Sequence, residues 1–316
     1  MMTEKSLIYG ATRRLFTLIP LLLLFFAGYS QAKLIAVAVS NEDNFRNLIT
    51  NSIEKTADVY GDDTYIDSAG GDFKTQYQQV KQYVETGVDA IIILAAGTPE
   101  QNKTLMPFAK QVPLIFVNAE PLKDLNELPA NTLYVGSNEE QSGTMQMEEL
   151  ARLAGYKGKV AMLRGVDKHQ AAIMRTQDVK NVLAKYPEMK LVKNETGNWQ
   201  RNEAYKIVTG WLKDNVDFNI LVANNDEMAI GAIMAMKDAG KNPKDYLIGG
   251  IDTTQDALKE MEAGTLDVTV LQDAVMQGKA AVGAGYQLIN KIPLDKTLWI
   301  PFRLVTPDNY KKYLKK

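Results

Sequence analysis

The chain has 316 residues with 36 Lys+Arg against 38 Asp+Glu, so it lacks the basic excess of a nucleic-acid binder. It contains no cysteine, which excludes disulfides, metal–thiolate centres and a lipid-modified cysteine near the N-terminus. Its one histidine, His169, excludes a metal cluster built on imidazoles.

Residues 1–32 read as an export signal, outside the fold. Lys5, Arg13 and Arg14 form a basic start, residues 15–26 are an apolar run broken only by Thr17 and Pro20, and Ser30-Gln31-Ala32 offers small residues at a cleavage spacing. The run is about 12 residues, short of the roughly 20 that span a bilayer. The mature chain is therefore expected to begin at Lys33, and a soluble, disulfide-free exported chain fits the periplasm of a Gram-negative bacterium. What remains exceeds one ordinary domain and points to two cores.

From there, apolar strand-like runs alternate with helix-period segments. Strand 34–39 is followed by helix 44–60, strand 64–67, helix 73–86 and strands 90–95, 114–117 and 133–135. Helix 141–154, strand 160–163, helix 170–185, strand 191–193 and helix 201–215 continue the pattern. Strand 220–222, helix 226–239, strand 247–251, helix 254–263 and strand 268–271 complete it, and no element is assigned beyond residue 271. In helix 44–60, Phe45, Leu48, Ile49, Ile53 and Ala57 share one face. Gly240 and Gly264 stand just past helical patterns, as helix-terminating glycines do. Repeated β-then-α units predict an α/β protein of parallel sheets covered by helices on both faces.

Enzyme signatures are missing. There is no G-x-S-x-G elbow, no P-loop and no G-x-G-x-x-G after a strand. Asp62-Asp63 follows a helix and reads as a solvated turn. The informative residues stand instead at strand ends, where open α/β sheets bind ligands. Asn225 ends strand 220–222, Asp252 follows strand 247–251 and Gln272 follows strand 268–271. Amides and carboxylates without a nucleophile or metal cluster suit hydroxyl recognition, hence a polyol binder.

Each of these residues also has a structural reading. Asn225 stands at an N-cap position, although Asn224 or Asp226 would serve that helix end equally. Thr253 with Asp256 would cap the next helix and leave Asp252 without a structural task. Gln272 precedes Asp273, itself a cap candidate. Trp199, before helix 201–215, reads either as a core plug or as a flat partner for the C–H face of a ring. Arg175 lies early in helix 170–185, where the helix dipole disfavours a cation, and His169 precedes the same helix.

Together these segments resemble the type I periplasmic sugar-binding proteins, the ribose/galactose-binding family of ABC importers. Asn225-Asp-Glu-Met-Ala-Ile-Gly231 matches the family's N-D-x-M-A-x-G, Gly250-Ile-Asp252 its strand-end G-x-D, and Gln272 the glutamine near a hinge crossing. By the same resemblance Arg175 falls on the ligand-binding arginine, Trp199 on the aromatic platform and Asn118 on the polar residue after the fourth strand. Asp43, Asn44 and Phe45 fall on the first-helix contact region. Asp43-Asn-Phe45, His169-x-Ala-Ala-x-x-Arg175-Thr176 and Leu271-Gln-Asp-Ala274 look most like the inositol- and rhizopine-binding branch.

The resemblance implies two doubly wound parallel-sheet lobes joined by a multi-strand hinge, one from residues 33–137 plus 273–301, the other from 138–272 plus 302–316. It implies a monomeric periplasmic binding protein, neither an enzyme nor a nucleic-acid binder, that closes on a cyclitol or monosaccharide without a cofactor. Its partner would be an inner-membrane ABC permease, or alternatively a chemoreceptor or sensor kinase. The expected ligand contacts are Asp43, Phe45, Asn118, His169, Arg175, Trp199, Asn225, Asp252 and Gln272. One departure stands out: many relatives carry an arginine directly after the residue matching Asn118, whereas here Ala119-Glu120-Pro121 follows. A bidentate donor is lost there, and a glutamate favours an amino- or cationic cyclitol.

Overall fold

The structure is a computed structural model that describes residues 32–315, and the export-signal reading lies outside them. The first βα array runs β1 (Leu34–Val39), α1 (Asn44–Tyr60), β2 (Asp63–Ser68), α2 (Phe73–Thr86), β3 (Ala90–Leu94) and α3 (Pro99–Asn102). A 3-10 segment (Lys103–Lys110), β4 (Leu114–Val117) and β5 (Thr132–Gly136) complete it. The second array runs α4 (Ser142–Leu153), β6 (Gly158–Arg164), α5 (Gln170–Leu183), β7 (Met189–Thr196), α6 (Arg201–Lys213) and β8 (Ile220–Ala223). It continues through α7 (Asp226–Asp238), β9 (Leu247–Gly249), α8 (Gln255–Glu262) and β10 (Thr269–Leu271). The chain ends with α9 (Ala274–Ile289), β11 (Thr297–Trp299) and β12 (Arg303–Val305).

These elements build two parallel sheets. One has six strands in the order β11-β5-β4-β3-β1-β2, the other four in the order β7-β6-β8-β9. The pairing starts at Leu34↔Asp63 between β1 and β2 and at Ile35↔Ala90 between β1 and β3. Side chains alternate across the first sheet with the period of two that a pleated strand imposes. Ile35, Val37, Ile92 and Ile115 face a core shared with α1 and α9, whereas Ala36, Ile91, Ile93 and Phe116 face α2 and the 3-10 segment. The second sheet does the same, with Ala161, Leu163 and Leu221 on one side and Val160, Met162 and Val222 on the other. Both faces are covered, so the central strands are apolar throughout.

The chain passes between the sheets after β5, after β10 and after β11. β10 pairs antiparallel with β12, and parallel bridges at Gly249↔Val268 and Asp252↔Leu271 fasten it beside β9. That antiparallel pair departs from the all-parallel expectation. It arises because β12 returns from the first lobe rather than through a βα unit.

Several boundaries also move. The strand expected at 191–193 runs from Met189 to Thr196, those at 90–95 and 247–251 stop at Leu94 and Gly249, and the helix expected at 170–185 stops at Leu183. Not anticipated were α9, β11, β12, the helical stretch from Pro99 to Lys110 and three short 3-10 turns at Leu125–Glu127, Pro243–Asp245 and Tyr310–Lys312. Asp62, expected to be solvated, is buried, because it accepts the Lys33 N–H at 2.8 Å and the Tyr286 hydroxyl. No described helix is long and apolar enough to cross a membrane.

Candidate ligand-binding cleft

The carboxyl ends of the two sheets face one cleft, and all nine residues singled out from the sequence line it. From the first lobe come Asp43, Phe45 and Asn118; from the second come His169, Arg175, Trp199, Asn225 and Asp252; Gln272 sits at the crossing after β10.

Backbone geometry marks the site before any side-chain chemistry does. Nine described non-glycine residues have positive φ. Three of them, Asn118 at 71°, Trp199 at 67° and Asp252 at 122°, line the cleft, and Asn198 and Thr253 adjoin it. Non-glycine residues held there cost of order 1–3 kcal/mol each and persist where the surroundings over-determine them. At Asn118 the restraint is visible: its N–H reaches the Val135 carbonyl at 2.9 Å and its own carbonyl accepts the Tyr134 hydroxyl at 2.7 Å. Trp199 lies against Gly165, where an added Cβ would come within 2.2 Å of the ring. The His169 ring meets Trp199 edge-on, with centroids 5.5 Å apart, and the Arg175 guanidinium lies 5.8 Å from its centroid.

Helix capping is distributed differently from expectation. Asn225 is itself the N-cap of α7: its Oδ1 accepts the Met228 N–H at 3.1 Å while its Nδ2 donates to the Trp199 carbonyl at 3.3 Å. Asn224 and Asp226, offered as alternatives, are used elsewhere. Asn224 accepts from the Gly165 N–H and the Thr176 hydroxyl, and Asp226 accepts from the Thr254 N–H at 2.8 Å and the Thr269 hydroxyl at 2.7 Å. The cap of α8 is Thr254 rather than Thr253, because Thr253 with φ 59° donates its N–H to Thr269. Asp273 caps α9 and leaves Gln272 free of that task. Asp43 caps α1 through the Arg46 N–H at 2.7 Å and forms an ion pair with the same guanidinium. Phe45 combines both readings, lining the cleft while packing on the first lobe's core.

At the base of the cleft Arg175 organises a buried polar network that the sequence did not disclose. Its Nε and Nη2 donate to Glu139 at 2.9 and 3.0 Å, Nη2 donates to Gln272 Oε1 at 3.1 Å and Nη1 donates to the Asn224 carbonyl at 2.8 Å. Gln272 closes the ring by donating to Glu139 at 3.1 Å. A guanidinium has five N–H groups, so one, on Nη1, remains. Asp252 Oδ1 lies 3.9 Å from that nitrogen.

The Asp252 carboxylate accepts no hydrogen bond from any described residue, although its side chain is only 6% exposed. Burial holds its pKa well above the ordinary range. Arg175 opposes that shift, and Asp226, Asp43 and Glu139 reinforce it. His169 is pushed down to about 4 by burial and by the charges of Arg46 and Arg175, so its ring is neutral at neutral pH. Its buried Nδ1 has no hydrogen-bond partner.

Glu139, Tyr134, Arg46, Gln170, Glu227 and Thr254 also line the cleft and were not anticipated as site residues. Glu120, noted as a departure from relatives, lines it too and accepts from the Gln170 amide at 2.8 Å. Among the same lining residues, Asn44 Nδ2 donates to Glu227 at 2.9 Å. No group of three or more His, Cys, Asp or Glu side chains with metal-binding geometry occurs among the described residues.

A family model described as a periplasmic binding protein domain matches residues 35–292. The chain belongs to that family. As a periplasmic binding protein it is 40% identical over 279 residues to a putative rhizopine-binding protein of Rhizobium meliloti, covering 86% of this chain and 89% of the relative. It is 30% identical to a xylitol-binding protein of Mycolicibacterium smegmatis, covering 90% and 80%. Among solved structures, an ABC transporter solute binding protein from Bacillus halodurans with bound myo-inositol superposes with a TM-score of 0.82 at 33% identity. That match covers 90% of this chain and 98% of the other.

Proposed function

We propose that this periplasmic binding protein takes a cyclitol into the cleft and delivers it to an ABC permease. The carrying observation is Asp252, a buried carboxylate aimed into the cleft with no hydrogen-bond partner, held on a positive-φ backbone beside the single free N–H of Arg175. An acceptor and a donor side by side suit vicinal hydroxyls, and Trp199 and Phe45 in the same lining would supply apolar faces for ring C–H groups. The names of two relatives, one putatively rhizopine-binding and one crystallised with myo-inositol, support a cyclitol over an aldose. Asn118 and Asp43 would contribute hydroxyl contacts from the first lobe, and His169, Asn225 and Gln272 from the second lobe and hinge.

The two lobes would move as bodies 33–137 plus 273–301 and 138–272 plus 302–316, closing over the ligand as hinge-bending binding proteins do. Residues 1–32 would direct export to a Gram-negative periplasm. N-terminal sequencing of the exported protein is expected to start at Lys33, and a retained leader would overturn that assignment.

A thermal-shift and calorimetry panel of inositol isomers, inosamines, ribose, galactose, glucose and xylose tests the ligand class. A ligand that binds only the folded state stabilises it by mass action, by about 2.7 kcal/mol at a hundredfold excess over Kd, and so raises the melting temperature. A shift with at least one cyclitol and none with the pentoses is expected. A pentose shift with every cyclitol silent would sink the reading.

A further inference from the structure

Two buried carboxylates stand beside the Arg175 guanidinium, and they are partnered in opposite ways. Glu139 is saturated. Its Oε2 accepts from Arg175 Nε at 2.9 Å and from the Ser142 hydroxyl at 3.1 Å. Its Oε1 accepts from Arg175 Nη2 at 3.0 Å and from the Gln272 amide at 3.1 Å. A carboxylate offers about four lone-pair sites, so Glu139 has none left for a ligand although it lines the cleft. Asp252 has accepted nothing, and Nη1 of Arg175 stops 3.9 Å from its Oδ1.

That gap needs a cause. A guanidinium and a buried carboxylate form strong, short hydrogen bonds when they meet, and a movement of about 1 Å would bring this pair to ordinary bonding distance. Glu139 supplies the opposing hold. It grips Arg175 through two nitrogens, which fixes the plane of the guanidinium, while Nη1 donates its other hydrogen to the Asn224 carbonyl at 2.8 Å. Glu139 is itself anchored. It stands in the crossing between β5 and α4, tied to Ser142 at the start of α4 and to Gln272 in the crossing after β10.

We propose that Glu139 is a positioning residue that withholds the Arg175 guanidinium from Asp252, so that the carboxylate and the last Nη1 hydrogen both stay open to one ligand. The inference rests on the reading of Asp252 and Arg175 as the hydroxyl-binding pair, and it adds what keeps that pair apart. A closed Arg175–Asp252 bridge would spend the donor and the acceptor on each other. Glu139 prevents this without touching the ligand.

The test compares the wild type with Glu139→Gln and Glu139→Asp, by crystal structures of the unliganded proteins and by calorimetric titration with myo-inositol. Glutamine keeps the size but offers one acceptor oxygen beside an NH2 donor, so it cannot grip two guanidinium nitrogens. Aspartate keeps the charge and draws it back by one methylene. Asp252 remains as a counter-ion in both variants, so Arg175 is not orphaned. The unliganded wild type should hold the Arg175–Asp252 separation near 3.9 Å. In Glu139→Gln it should close to about 2.9 Å, and the affinity for myo-inositol should fall about tenfold or more. Glu139→Asp should lose affinity in the same direction but by less. A separation that stays open in Glu139→Gln would overturn the proposal, as would wild-type affinity in either variant. A lower melting temperature with separation and affinity unchanged marks a purely structural pair and overturns it too. If Glu139→Gln does not fold, Glu139→Asp carries both readings; if neither folds, Glu139 serves the fold and the proposal falls. Should myo-inositol not bind the wild type, the cyclitol reading fails by itself, and the Arg175–Asp252 separation in the variants still decides this one.

Discussion

Asp252 places binding and stability in opposition. Its carboxylate is buried, lacks a hydrogen-bond partner and is held well above the usual range, and burial raises Asp178 to about 6 in the same lobe. An acid raised on folding contributes stability that is full below its unfolded value and is lost as the pH climbs through the folded one. His169, lowered to about 4, has the opposite sign and loses its contribution as the pH falls from about 6.5 to about 4. The acids outnumber the imidazole, so the melting temperature of the unliganded protein should fall as pH is raised from about 5 to about 7. Asp252→Asn keeps the shape and removes the charge. It should raise the unliganded melting temperature at pH 7 and flatten that slope, while weakening ligand binding about tenfold to a hundredfold, since hydrogen bonds to charged groups are worth about 1.5–3 kcal/mol. A variant that loses stability instead would make Asp252 a structural residue. This residue was legible because its neighbours left it without a capping task. Glu139 was not: it lies in the crossing after β5, and its partner Arg175 is 36 residues away with no periodic signal joining them. Pairings of that kind exist only once two segments have been brought together by the fold.

At the scale of single elements, the strands whose ends carry the site were readable because their faces alternate between two buried cores, leaving long apolar runs. Helices with an amphipathic stripe were equally plain, and α1 runs from Asn44 to Tyr60 as expected. α9 was lost for a physical reason. Its sequence holds Gly278, Gly283 and Gly285 among alanines, a composition that local propensity scores against a helix. Packing overrides propensity there, because α9 lies so close to α1 that a Cβ on Gly278 would stand 2.7 Å from the Ile49 carbonyl oxygen. Gly283 in the same helix has nothing within 4 Å of such a Cβ. The two glycines therefore separate packing from propensity. Gly278→Ala should destabilise by about 1–3 kcal/mol through overpacking, whereas Gly283→Ala should stabilise by about 0.8–1 kcal/mol through helix propensity. Urea denaturation of both variants reads the difference, and equal effects would mean that α9 does not pack on α1 as described. β11 and β12, with three residues each, carry too little pattern to be read without their partners β5 and β10.

For the whole molecule, two direct hydrogen bonds join cleft residues of the two lobes, Asn44 to Glu227 and Gln170 to Glu120. The first uses a side chain that already has its counter-ion, since Arg201 binds Glu227 through two nitrogens and also reaches Asp256 at 3.0 Å. Asn44 thus adds a hydrogen bond between lobes without altering the charge of the cleft. A contact of this kind stabilises the closed arrangement whatever lies inside, and its loss lowers the closed fraction for every ligand by the same factor. Asn44→Ala is accordingly expected to weaken all ligands alike, by about threefold to tenfold for a net hydrogen bond of about 0.5–1.5 kcal/mol. Most of the change should appear as faster dissociation, with ligand preference untouched. Stopped-flow measurement of release for two ligands of different charge checks this directly. Unequal losses would place Asn44 among the groups that read the ligand, and an unchanged dissociation rate would mean that this contact does not hold the lobes together.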